Sequence, residues 1–152
     1  MFITVDSNIL LSIFIKDSLF QQSAALLEKY SANEYIINDC IYLELAVHFG
    51  ELKKLDEVLE ILEVKLIQQP KTDHEIVLKA WSGYLKKKSF VCPACKTSIT
   101  PICPECGSVQ SFRQRILVDF IIGAFATTHS QNILTLDPVY YRNYFPDLTI
   151  LD

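Results

Sequence analysis

The chain opens on four β-prone residues, Phe2-Ile3-Thr4-Val5, then turns polar at Asp6-Ser7-Asn8 before an apolar stretch that reads as a helix. Ser18 and Gln21 have capping-box spacing. Phe20, Ala24 and Leu27, with Leu26 and Tyr30 beside them, form the apolar stripe of the helix they would open. Tyr35-Ile36-Ile37 reads as a second strand. Asn38-Asp39 can cap a helix running to about His48, and Gly50 stops it. The clearest amphipathic pattern follows, with Leu52, Leu55, Leu59, Leu62 and Leu66 at 3-4-3-4 spacing and charges between them. Residues 64–67 are either its end or a third strand, which periodicity does not separate. Pro70 breaks the pattern, and Thr72 with Glu75 predicts a capping box for a helix burying Ile76, Val77, Ala80, Trp81, Tyr84 and Leu85. Residues 116–128 are apolar nearly all round, hence a buried helix. Residues 133–136 predict a strand, Asp137-Pro138 a helix N-cap and first position, and residues 148–151 a final strand.

Strands and helices alternate, which favours an α/β fold with a mainly parallel sheet and helices on both faces. No internal repeat and no low-complexity tract interrupts that order. Half of the 152 residues are apolar, enough for a real core and too many for a disordered chain. The exception to the pattern is residues 90–108, a 19-residue segment whose removal leaves 133 residues, a compact domain. The chain therefore reads as a single domain over 1–152 with an insert. The first 15 residues lack a basic n-region and carry Asp6, so they do not read as a secretory signal. No apolar run approaches the roughly 20 residues of a membrane span. The expectation is an intracellular, cytoplasmic protein.

Charge changes the picture when taken by segment. The net charge of −4 argues against a nucleic-acid partner, but residues 86–115 hold six basic residues and one acid, Glu105. That block is +5, and the rest of the chain, with 8 basic and 17 acidic residues, is −9. Four of the five cysteines share the block, as Cys92-Pro93-Ala94-Cys95 and Cys103-Pro104-Glu105-Cys106. Each pair can place two thiolates on one ion, and together they make a tetrahedral four-sulfur set that suits structural Zn²⁺. Disulfides or a redox pair are the alternatives, disfavoured by a reducing compartment and by the need for only one pair, respectively. Gly107 follows the second pair, where a positive φ is often wanted, while Lys96 follows the first. Cys40 reads as a small buried hydrophobe.

Four acids remain. Asp6 and Asp137 each follow a predicted strand directly, so both can face the crevice beyond the carboxyl ends of a parallel sheet. Glu44 and Asp119 sit within apolar helix segments, where an unpaired carboxylate is costly. Taken singly, Asp6 or Asp137 could be a helix cap, and Glu44 or Asp119 could line a narrow exposed stripe or meet an arginine. Together they have no basic neighbour in sequence. Several carboxylates converging need a divalent cation, and oxygen-only ligation suits Mg²⁺ or Mn²⁺. Beside a basic block, such a site fits phosphodiester hydrolysis. Only four glycines occur and none forms a phosphate-binding loop, and His48, His74 and His129 lack ligand spacing.

These residues resemble a known family. Phe2-Ile3-Thr4-Val5-Asp6-Ser7-Asn8-Ile9-Leu10 is similar to the opening of PIN-domain nucleases, particularly the VapC-type toxins of toxin–antitoxin pairs. Glu44 matches the family's acid on the third helix. Residues 117–126, Leu-Val-Asp-Phe-Ile-Ile-Gly-Ala-Phe-Ala, resemble its D-x-x-I-x-x-x-A helix, and Ile133-Leu134-Thr135-Leu136-Asp137 its L-x-T-x-D ending. The resemblance covers the whole chain except the cysteine insert. It implies a three-layer α/β/α sandwich and an Mg²⁺- or Mn²⁺-dependent endoribonuclease leaving 5′-phosphate and 3′-hydroxyl ends. Asp6, Glu44, Asp119 and Asp137 would bind the catalytic ion, with Asn8 and Thr135 orienting them. It further implies a structured RNA substrate such as tRNA or rRNA, an antitoxin partner and a homodimer. The insert is the departure from most toxins of this type. It enters just before the Asp119 helix, so Lys86, Lys87, Lys88, Lys96, Arg113 and Arg115 are candidate RNA-phosphate contacts, a solvated lysine run being the alternative. Housekeeping tRNA or rRNA maturation, or a non-catalytic zinc module binding RNA or protein, are the competing readings.

Overall fold

The computed structural model describes residues 1–86, 90–92, 94–109 and 116–152, with Phe90 and Val91 described by backbone alone. β1 (Phe2–Val5) leads through α1 (Ser7–Ile15) and α2 (Phe20–Lys29) to β2 (Glu34–Ile37). α3 (Asp39–Phe49) and α4 (Leu52–Ile61) carry the chain to β3 (Val64–Leu66). A short 3-10 turn, Lys71–Asp73, opens onto α5 (His74–Lys86), and β4 (Phe90–Val91) and β5 (Ser98–Ile99) lie in the insert. α6 (Leu117–His129), β6 (Asn132–Leu134), α7 (Pro138–Tyr144) and β7 (Thr149–Leu151) follow.

Five strands form one sheet in the order β3-β2-β1-β6-β7, with every neighbouring pair parallel. The chain steps outward from β1 to β3, then returns to the other side of β1 for β6 and β7. Strand order therefore reverses at β1, the place where open α/β sheets commonly carry a crevice beyond the carboxyl ends of the strands. Right-handed crossovers place α1 to α4 on one face and α5 to α7 on the other, giving an α/β/α sandwich. The packing pairs agree: α1 meets α2 and α3, α3 meets α4, and α5 meets α6 and α7. Because both faces are covered, the inner strands do not alternate. Ile3, Val5, Ile36, Ile37, Ile133 and Leu134 are all at most 1% exposed.

α6 is the buried helix its sequence predicts, with Phe120, Ile122, Ala124, Phe125 and Ala126 in the core. Phe120 anchors an aromatic cluster with Trp81, Tyr84, Tyr140, Tyr144 and Phe145. Phe145 lies so close to α6 that a Cβ on Gly123 would stand 2.2 Å from its ring. Asn38 caps α3 as expected, its side chain accepting from the Ile41 N–H, and Gly50 ends that helix at φ +66°. Residues 64–66 form a strand rather than the end of α4, because Val64 and Leu66 pair with Tyr35 and Ile37 of β2.

Four sequence expectations are corrected. α2 is not opened by Ser18 and Gln21. Asp17 does that work, accepting from the Leu19 N–H at 2.8 Å and from the Ser12 hydroxyl at 2.6 Å. Thr72 does not cap α5, which begins at His74 after the 3-10 turn. Nor does α5 bury its apolar stripe: Ile76, Val77, Ala80, Trp81 and Tyr84 are half-buried and Leu85 is 40% exposed, as befits an outer helix. Lastly, the insert does contain a repeat. Val91 pairs with Ser98, and eleven residues on Ile102 pairs with Val109 in the same antiparallel sense. Among the described residues no helix is long and apolar enough to cross a membrane.

Candidate metal-binding active site

Asp6 leaves the carboxyl end of β1, and its N–H donates to the Leu134 carbonyl at 2.9 Å, which ties the ends of β1 and β6 together. Its carboxylate is held asymmetrically. Oδ2 accepts from Thr135 Oγ1 at 2.8 Å, Asn8 Nδ2 at 2.9 Å and the Tyr141 hydroxyl at 3.1 Å. Oδ1 has only the Ser7 hydroxyl, at 3.5 Å. Thr135 can fill this role because its own oxygen accepts from the Asp137 N–H at 3.0 Å and from Asn8 Nδ2 at 3.2 Å, leaving its proton for Asp6. Asn8 is fixed in turn, its Oδ1 accepting from the Leu136 N–H at 3.1 Å. Residues more than 120 positions apart thus lock one carboxylate. Asn8 and Thr135 both donate to the Asp6 carboxylate.

Burial pushes the Asp6 carboxyl up from its ordinary 3.8 to about 6. The Thr135 and Tyr141 bonds oppose that rise, while the charges of Glu44 and Asp119 reinforce it. Glu44, half-buried on α3, and Asp119, half-buried in the first turn of α6, therefore face Asp6 across the crevice at β1. Among the described residues neither Asp6 nor Glu44 has a cation in ion-pair contact. Asp119 Oδ2 accepts from the Ile116 N–H at 3.2 Å, so this acid also helps to start its helix. Asp137 sits half-buried at the end of the β6 segment and is joined to the site through its N–H. Asp6 and Asp137 both occupy N-cap positions, of α1 and α7, yet neither side chain makes a capping bond. The capping alternative fails for both.

The donor set is chemically consistent. Around Asp6 stand carboxylates, hydroxyls and one amide, all oxygen donors or neutral supports, as a hard divalent cation requires. Cys40, also on α3, has its thiol pushed up by burial and by the charges of Glu44 and Asp39. As the side chains stand, no three of the described His, Cys, Asp or Glu residues are gathered closely enough to hold an ion.

The cysteines stand in two pairs, Cys92 with Cys95 and Cys103 with Cys106, each joined by a thiol–thiol hydrogen bond. Hydrogen bonds from the Thr97 side chain and backbone lower the Cys95 thiol to about 7, and Ser108 lowers Cys106 in the same way. Of the basic candidates, Lys86 is exposed at the end of α5 and Lys96 is exposed beside Cys95. Lys87, Lys88, Arg113 and Arg115 lie outside the described residues.

Two features escaped the sequence reading. Tyr141 is 2% exposed, and its phenol is held well above its ordinary value by burial and by the Asp6 charge, so it remains a proton donor to Asp6. Its position four residues after Asp137 on a short helix is the one sequence signal that could have found it. Asn38, fully buried beyond β2, donates to Gln69 Oε1 at 2.9 Å, and Gln69 reaches the Ile121 carbonyl of α6 at 3.3 Å. That chain links the start of α3, which carries Glu44, to α6, which carries Asp119.

No protein-family profile matches the sequence, and no curated protein matches it in sequence. Among solved structures the fold matches a chain of VapBC2 from Rickettsia felis, crystallised bound to a DNA fragment from the promoter of its own genes. The TM-score is 0.61 at 13% sequence identity, covering 99% of this chain and 97% of that one. The likeness extends along the whole chain and concerns the fold.

Proposed function

We propose that the chain is an Mg²⁺- or Mn²⁺-dependent endoribonuclease of the PIN type, acting as the toxin of a toxin–antitoxin pair. One observation carries the reading. Asp6 is buried at the switch point of the sheet with one oxygen held by three donors, and two further carboxylates push its pKa upward. A fold maintains such a cluster at a cost, and a divalent cation converts the repulsion into attraction. The fold likeness to a VapBC2 chain, which extends over 99% of this chain, supports the reading.

In the working enzyme Thr135, Asn8 and Tyr141 hold Asp6 Oδ2, so that Oδ1 is presented to the crevice with Glu44 and Asp119. Asp137, at the crevice edge, is the fourth acid of the set. A bound ion supplies Lewis acidity at the scissile phosphate and a more acidic water. Exposed Lys86 and Lys96, with the neighbouring basic residues, neutralise flanking phosphates of a structured RNA. A cognate antitoxin and a second copy of the chain are the expected partners.

The test is cleavage of a mixed tRNA and rRNA pool in Mg²⁺ and in Mn²⁺ by the wild type, Asp6→Asn and Asp119→Asn, with folding checked by circular dichroism. Loss of a metal-holding carboxylate removes several kcal/mol of transition-state stabilisation, so each variant should lose roughly 10²-fold or more. Undiminished cleavage in both folded variants sinks the assignment and leaves a binding module.

A further inference from the structure

The insert holds a structure whose logic does not depend on the nuclease reading. Residues 91–98 and 102–109 superpose by an offset of eleven: Val-Cys-Pro-Ala-Cys-Lys-Thr-Ser against Ile-Cys-Pro-Glu-Cys-Gly-Ser-Val. Their hydrogen bonds repeat with the same offset. The Cys92 N–H donates to the Thr97 carbonyl at 2.9 Å, and the Cys103 N–H to the Ser108 carbonyl at 2.9 Å. The Lys96 N–H donates to the Cys92 carbonyl at 2.9 Å, and the Gly107 N–H to the Cys103 carbonyl at 2.9 Å. The backbone turns through the left-handed region at both corresponding places, Lys96 at φ +62° and Gly107 at φ +69°.

Each unit is thus a closed turn that points two sulfurs the same way and supports the second of them. Thr97 donates to Cys95 from side chain and backbone, and Ser108 does so to Cys106, its hydroxyl 3.1 Å from the sulfur. A turn that merely reverses a chain needs no cysteine and no donor aimed at one. A lysine forced into the left-handed region costs free energy that glycine avoids, so the conformation is being kept for the sulfurs. The two pairs do not form one group as they stand. The seven residues between Cys95 and Cys103 reach about 23 Å when extended, far more than the span of a four-sulfur site.

We infer that the two turns close together on one zinc ion, held by Cys92, Cys95, Cys103 and Cys106 as four thiolates. The site is saturated by protein sulfur and so is structural. Metal binding and ordering of the insert are one event, because the strand pairings described in it, Phe90–Val91 with Ser98–Ile99 and Ile102 with Val109, are short and bring little core with them. In sequence the insert lies between the end of α5 and the first turn of α6, which bears Asp119.

The full-length protein, purified without chelator, tests this directly by metal analysis and by exchange of its metal for Co²⁺. The expected results are one zinc per chain and a Co²⁺ form with intense thiolate charge-transfer absorption and visible bands of tetrahedral geometry. Cys95→Ser and Cys106→Ser, one from each turn, should each weaken Co²⁺ binding at least about 100-fold, since both turns serve the same ion. The wild-type measurements stand even if a variant misfolds. Absence of zinc together with absence of a thiolate–Co²⁺ band overturns the site. Two Co²⁺ ions per chain, or a band that survives loss of either turn, overturns the shared ion. None of these readouts involves RNA, so failure here and failure of the nuclease assignment are separable.

Discussion

The carboxylate crevice and the cysteine insert both present anionic or potentially anionic groups, yet they are built by opposite means. Asp6 is positioned by partners 128 to 135 residues away or delivered by the strand next to it: Thr135, Tyr141 and the Leu134 carbonyl. The cysteine turns are closed by bonds spanning four or five residues, Lys96 to Cys92 and Cys92 to Thr97. The first site exists because the sheet exists. It can hold charges in an unfavourable arrangement because the core holds its walls. The second has almost no core behind it: Cys95, Cys106, Ser98 and Ile99 are all exposed. One site therefore stores electrostatic cost against folding energy, and the other needs its ligand in order to fold.

The sharpest way to test that contrast is to remove the stored charge. A carboxyl whose pKa is higher in the fold than in the unfolded chain contributes stability fully below the unfolded value. That contribution is lost as pH rises through the folded value. For Asp6 the window runs from about 3.8 to about 6, and the full difference corresponds to about 3 kcal/mol. In the metal-free protein Asp6→Asn should therefore raise Tm at pH 7.5 and have little effect near pH 4, measured as the difference between variant and wild type. Mg²⁺ or Mn²⁺ should raise the Tm of the wild type and leave the variant nearly unmoved. A variant less stable than wild type at pH 7.5 without metal would show that Asp6 is a structural anchor rather than a strained ligand.

The next effect is smaller and belongs to the same crevice. Tyr141→Phe removes one of three donors on Asp6 Oδ2, and a hydrogen bond to a charged group is worth about 1.5–3 kcal/mol. Because that bond lowers the Asp6 pKa, its loss should move the acid limb of the cleavage–pH profile to higher pH. Rate at pH 8 should recover toward wild type while rate at pH 6 stays depressed. An acid limb that moves downward, or not at all, would mean that the Tyr141 hydroxyl serves packing alone.

Legibility in the sequence follows the same division. The strands, α3, α4 and α6 were readable because their signals are local: β-prone runs, the Asn38 cap, the leucine spacing and the apolar stretch after Leu117. Asp6 was readable because a parallel sheet gathers strand ends, whereas Asn8 and Thr135 came only from the family motifs they sit in. Tyr141 and the Asn38–Gln69 link from α3 to α6 were not, because they depend on the angles at which α7, α3 and α6 meet the sheet. The burial of the α5 stripe was overcalled for a related reason, since amphipathicity tells which face turns inward and not how deep the helix lies. In the insert the relation is inverted. Its two Cys-Pro-x-Cys pairs, and Lys96 standing in one where the other has Gly107, are plain in sequence; what the structure adds is that both turns close with the same hydrogen bonds.

That mismatch gives the smallest and most local prediction. Lys96 adopts φ +62° with a side chain, whereas Gly107 does the same without one, and nothing lies within 4 Å of where a Cβ on Gly107 would stand. The two positions therefore differ in backbone cost rather than in packing. Lys96→Gly should relieve roughly 1 kcal/mol of left-handed strain in the bound turn, offset in part by the greater freedom of the open chain. Gly107→Ala should impose a similar cost. In Co²⁺ competition the first variant should bind metal as tightly as wild type or several-fold more tightly, and the second several-fold more weakly. Both should leave the Tm of the sheet core unchanged to within a few degrees, because the insert and the crevice share no hydrogen bond among the described residues. Equal weakening by both would mean that the Lys96 ammonium, by its charge beside the thiolates, matters more than the turn it is made to adopt.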